Sequence, residues 1–149
     1  MKTIFNPSEQ EDIRKRLEKL TPETKALWGK MNVSQMLAHC SGAMQMPTGD
    51  IAVKSSPLLV RVIGKLIRDI AINEKPFTKN NPTAPELKIT DPKEFTAEKE
   101  KFLKALEKIS KGESVIKREK HPFFGKLLPN EWGRLNYKHT DHHFKQFGV

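Results

Sequence analysis

Apolar positions in this chain recur at steps of three and four over several separate stretches, and no stretch alternates for long enough to make a convincing strand. Asn6 as a cap with Pro7 in the first helical position, or the Ser8-x-x-Glu11 capping box one turn later, predicts a helix running to about residue 20. Asn32-Val33-Ser34-Gln35 supplies a second cap, a polar acceptor followed three residues on by a glutamine. The helix it opens, over 33–46, carries Val33, Met36, Leu37, Cys40, Ala43 and Met44 on one face, and Pro47-Thr48-Gly49 closes it. Leu59, Val62, Ile63, Leu66, Ile67 and Ile70 then mark an amphipathic helix with a basic outer face. In a domain this short, the apolar stripe of that helix is expected to be core and not a membrane-binding surface.

Pro76, Pro82 and Pro85, with Asn80-Asn81, break both helical and strand periods, so 73–90 reads as a long Pro-rich loop. Asp91-Pro92 is expected to cap a helix running to about residue 110, with Phe95, Phe102, Leu103, Leu106 and Ile109 inward. After His121-Pro122-Phe123-Phe124-Gly125, Pro129 opens a last helix that ends at Gly148, a natural residue to follow a helix C-terminus. With no repeats or linkers, the expectation is a single all-α domain over 1–149. Four principal helices would form a bundle, joined by an extra short helical segment and the Pro-rich loop.

A length of 149 residues suits one domain with its own core. The single cysteine, Cys40, excludes an internal disulfide, and the first residues lack the apolar run of a secretory signal, so a cytoplasmic setting is expected. The most apolar stretch, 57–72, is interrupted by Arg61, Lys65, Arg68 and Asp69 and cannot span a bilayer. No membrane partner is expected. The net charge of +9 favours an anionic partner without choosing one. Much of it lies beside acidic residues, as in Glu98-Lys99-Glu100-Lys101, and so should coat solvated helix faces. The absence of a nucleic-acid-binding motif argues against DNA or RNA as the partner.

The five histidines are His39, His121, His139, His142 and His143, and three of them fall within five consecutive residues of the last helix. Four residues advance an α-helix by about 400°, so His139 and His143 stand one above the other and can reach one ion, whereas His142 lies aside. Trp132, Leu135, His139, His143 and Gln146 share a face at bundle spacing, which points the pair inward, with Asp141 on the opposite side. A metal held well needs a third ligand, and His39, on the rim of the second helix's apolar face, is the candidate. Gln35 and Gln146, each a turn from a ligand, and His142 are candidates to orient imidazoles or substrate. Cys40, turned about 100° from His39, reads as a buried core thiol. His121 reads as a loop anchor that could also face substrate.

The segments Trp28-Gly29-Lys30-Met31-Asn32-Val33-x-Gln35-Met36-Leu37-x-His39-Cys40, His121-Pro122-Phe123-Phe124-Gly125-Lys126-Leu127 and Glu131-Trp132-Gly133-x-Leu135-x-Tyr137-x-His139-x-x-His142-His143-x-x-Gln146 carry a resemblance. Together they resemble an uncharacterised bacterial branch, a domain of unknown function, of the DinB/YfiT-like superfamily. The resemblance implies a four-helix bundle whose metal is held by one histidine of the second helix and an H-x-x-x-H pair of the last, here His39, His139 and His143. It also implies a metal-dependent thiol transferase or hydrolase, and a tendency to form homodimers. The expected cofactor is a divalent ion, with zinc, nickel, iron, copper and manganese all compatible with imidazole donors. The expected partner is a small molecule, anionic or a low-molecular-weight thiol. The competing expectation is a non-catalytic binding module that docks nucleic acid or an acidic protein on its basic surface.

Overall fold

The computed structural model describes every residue except Ser55 and Pro82, so the breaker role assigned to Pro82 lies outside the described residues. The chain is mainly α-helical: α1 (Pro7–Glu18), α2 (Val33–Thr48), α3 (Leu58–Leu66), α4 (Arg68–Ile72), α5 (Phe95–Ile109) and α6 (Pro129–Gln146). One hairpin of two-residue strands, β1 (Lys120–His121) and β2 (Gly125–Lys126), pairs antiparallel with His121 opposite Gly125. Among the described residues no helix is long and apolar enough to cross a membrane.

The caps follow the local chemistry closely. Asn6 accepts from the amide of Ser8 at the start of α1, so the alternative box at Ser8 is not used. Asn32 and Gln35 form the reciprocal capping box of α2. That helix runs two residues past the expected end because Pro47 is accommodated in its last turn before Gly49 adopts left-handed φ. The start of α5 differs from expectation. Glu94, not Asp91, is its cap, because the Glu94 carboxylate reaches the amides of both Thr96 and Ala97.

The four long helices share one core. Ile13 and Leu17 of α1, Met36, Leu37, Cys40 and Met44 of α2, Phe102, Leu106 and Ile109 of α5, and Tyr137 and Phe144 of α6 are buried together. Phe102 and Phe144 stack across it with centroids 5.6 Å apart. Two faces of α6 are therefore buried: Tyr137, Thr140 and Phe144 look into this core, while Trp132 and Leu135 belong to a second cluster with Ala43, Met46 and Leu127.

The expected core role of the 59–70 stripe is not what the structure has. Leu58, Leu59, Val62, Ile63, Leu66 and Ile70 are exposed, and the helix itself is broken at Ile67 into α3 and α4. The reason is that α3 is fastened by its opposite face. Gly64 is buried against the hairpin, where a Cβ would overlap the carbonyl oxygen of Phe123. Hydrophobic periodicity identified the helix correctly, but the face with less side-chain bulk is the one that packs.

A candidate three-histidine metal centre

His39 is placed on α2 one turn after Gln35 and is almost fully buried. Its Nδ1 lies 2.7 Å from the carbonyl oxygen of Leu87, in the short helical turn (Pro85–Leu87) of the Pro-rich loop. A carbonyl only accepts, so Nδ1 carries the proton and donates, and Nε2 is left with a free lone pair. That Nε2 lies 2.9 Å from Nε2 of His139 on α6.

His143 stands one turn beyond His139, as the helical spacing requires. Its Nδ1 donates to Oε1 of Gln146 over 2.8 Å, and Nε2 of the same amide donates to the carbonyl oxygen of Trp28 over 2.6 Å. The Trp28 bond determines which way the amide faces, and the amide in turn sets the tautomer of His143 with Nε2 unprotonated. Gly29 lets the backbone come this close, since its φ is +84° and a Cβ there would overlap the Gln146 amide.

The ring centroids of His39, His139 and His143 form a nearly equilateral triangle with edges of 4.8, 4.7 and 4.7 Å. One nitrogen from each ring falls within 4.8 Å of the others. Burial holds all three rings neutral: it lowers the pKa of His39 and His139, and pushes His143 down to about 3, with neighbouring histidines adding to the shift of each.

These donors fit a divalent cation on their own chemistry. His39 and His143 each present an unprotonated nitrogen, and the one ring proton His139 can offer cannot satisfy both. Nδ1 of His139 is buried with no hydrogen-bond partner among the described residues. Three neutral imidazoles converging at the wall of a cavity are under-satisfied among themselves, and their nitrogens lie close enough together to hold one metal ion.

The other sequence candidates fall into different places. His142 stays outside the triangle, edge-on to Trp28, Phe77 and His143. Among the described residues Gln35 hydrogen-bonds to no histidine; its side chain is taken up by the α2 capping box and by the carbonyl of Asp91. His121 anchors its loop, its Nδ1 accepting from the amides of Phe123 and Phe124. Its ring stacks on Phe124 and lies against Trp132. Burial, with Arg118 nearby, pushes its pKa down to about 3. Cys40 is a buried core thiol whose Sγ lies 3.8 Å from the sulfur of Met36. Leu87 and Trp28 escaped sequence reasoning because they act through backbone carbonyls, which no side-chain pattern announces.

The triangle lies in the wall of a cavity of about 1020 Å³. Phe77, Phe123, Phe124, Trp132 and Leu135 make its apolar walls, and Lys30 and Lys88 bring positive charge to it. A site of that size, mostly apolar with a few converging polar groups, has the form of a small-molecule pocket.

No curated protein and no solved structure matches this chain. A family model described as a protein of unknown function, DUF1569, matches residues 6–148. Since that match takes in almost the whole chain, the protein belongs to the DUF1569 family.

Proposed function

We propose that the protein is a divalent-metal-dependent enzyme of DinB/YfiT-like architecture, with His39, His139 and His143 as the protein ligands and a thiol or a water molecule as the group activated. The observation that carries this reading is the convergence of three neutral imidazoles beside a large cavity, two of them held in tautomer by Leu87 and Gln146. With a divalent ion bound, His39, His139 and His143 would hold a Lewis acid able to lower the pKa of a thiol or water so that a nucleophile exists at neutral pH. The placement of the ligands on the second and last of four long helices sharing one core agrees with that architecture.

The protein's own residues then have separable tasks. Leu87 and Gln146 orient imidazoles and raise their basicity by accepting their ring protons. The aromatic walls exclude water and pack against the apolar body of a substrate, and Lys30 and Lys88 favour one bearing a carboxylate or other anion. His142, half-buried and lining the same cavity, is placed to exchange a proton with bound substrate.

Elemental analysis of tag-free protein tests the reading directly. Wild-type protein should carry close to one divalent ion per chain and His139→Ala markedly less. An equal metal ratio in the two would remove the proposed chemistry. Thiol-transfer and ester or amide hydrolysis assays on the loaded protein then separate the two reaction classes, since hydrolysis needs only water as co-substrate.

A further inference from the structure

The exposed side of α3 is the largest departure of this molecule from ordinary surface chemistry. Leu58, Leu59 and Leu66 are 74%, 73% and 81% exposed, and Val62 and Ile63 between them are each 49% exposed. At about 100° per residue these five side chains fill one continuous arc, with Arg61 and Lys65 along one border of it. Scattered surface leucines need no explanation, but a contiguous aliphatic face rimmed by cations does.

We infer that α3 is a peripheral docking element for anionic lipid bilayers, its aliphatic arc entering the interface while Arg61 and Lys65 meet the headgroups. Charge selects this occupant over a second copy of the chain. Among the described residues Arg61, Lys65 and Lys126 form no ion pair, and the Lys65 side chain runs over Gly125, the residue before Lys126 in β2. Asp69, the one acidic residue of 57–72, sits beside Arg68. Pairing two such faces would bring like charges together on molecules that each carry +9. An anionic bilayer supplies both the apolar layer and the counter-charge.

At nine residues α3 is about 14 Å long, which suits insertion in the plane of the interface and not passage across it. Val60, Ile67 and Ile70 of the same segment line the large cavity, so docking would bring the cavity wall to the membrane surface. The inference does not depend on a metal being held by the histidines.

Co-sedimentation of the full chain with vesicles of mixed phosphatidylcholine and phosphatidylglycerol, and with phosphatidylcholine alone, tests it. Binding is expected to the mixed vesicles and to be much weaker with the neutral ones. The Leu59→Gln/Leu66→Gln double variant, whose side chains support no core, should keep its helical circular dichroism and bind at least about tenfold more weakly. Arg61→Gln/Lys65→Gln should lose about fivefold for each charge removed. No vesicle binding, or binding indifferent to the leucine changes, would overturn the inference. So would a dimer in sedimentation velocity that the leucine variant dissociates, where vesicles capture neither protein.

Discussion

Gln146 holds His143 in a single tautomer: its Oε1 accepts the Nδ1 proton of His143 across 2.8 Å while its own amide nitrogen is tied to the carbonyl of Trp28. Gln146→Leu removes that acceptor and frees the ring to rotate or change tautomer. Divalent-metal affinity, read by chelator competition, should fall about 10- to 100-fold, and Gln146→Glu should not restore it, because a carboxylate cannot donate to the Trp28 carbonyl that orients the group. Equal affinity in wild type and Gln146→Leu would show that the amide does not position the ring.

The attachment of α3 rests on Gly64, whose missing side chain makes room for the backbone of Phe123. Gly64→Ala should destabilise the fold by about 1–3 kcal/mol through overpacking against a carbonyl that cannot rotate away. Urea denaturation checks this. A stability at or above wild type, as the better helix propensity of alanine alone would give, would mean that α3 can shift at no cost.

Burial raises the thiol pKa of Cys40, directly beside His39, so that no thiolate exists near neutral pH. A thiol-specific reagent should leave the native protein unlabelled at slightly alkaline pH and label it rapidly in urea. Fast labelling of the folded protein would mean that the thiol reaches solvent or the site.

His121 is pushed from its ordinary value of 6.5 down to about 3, and in the fold it is neutral, accepting two amide protons. The unfolded chain binds a proton here that the folded chain refuses. The stability contributed is therefore complete above about pH 6.5 and is lost progressively as the pH falls from there towards 3. Melting temperatures of metal-free protein between neutral and mildly acid pH should fall, and fall less in His121→Asn, which keeps a side-chain acceptor for the loop amides without the ring's titration. An identical pH slope in both proteins would assign the acid sensitivity elsewhere.

Much of this molecule was legible as a sequence because helix periodicity and caps are local. Asn6-Pro7, Asn32 with Gln35 and Pro129 each begin a helix where their chemistry says one should begin. The four-residue spacing of His139 and His143 sets their relative placement on any α-helix, and it leaves His142 to one side. What tertiary structure alone decided are the relations between distant segments. Whether His39 meets the last helix, and which of its nitrogens is free, depends on how α2 packs against α6 and on a carbonyl at Leu87 supplied by the Pro-rich loop. The same limit applies to α3: periodicity says that one face is apolar, but only the packing partner decides whether that face is buried. Here Phe123 and the hairpin take the glycine side and leave the leucines outside.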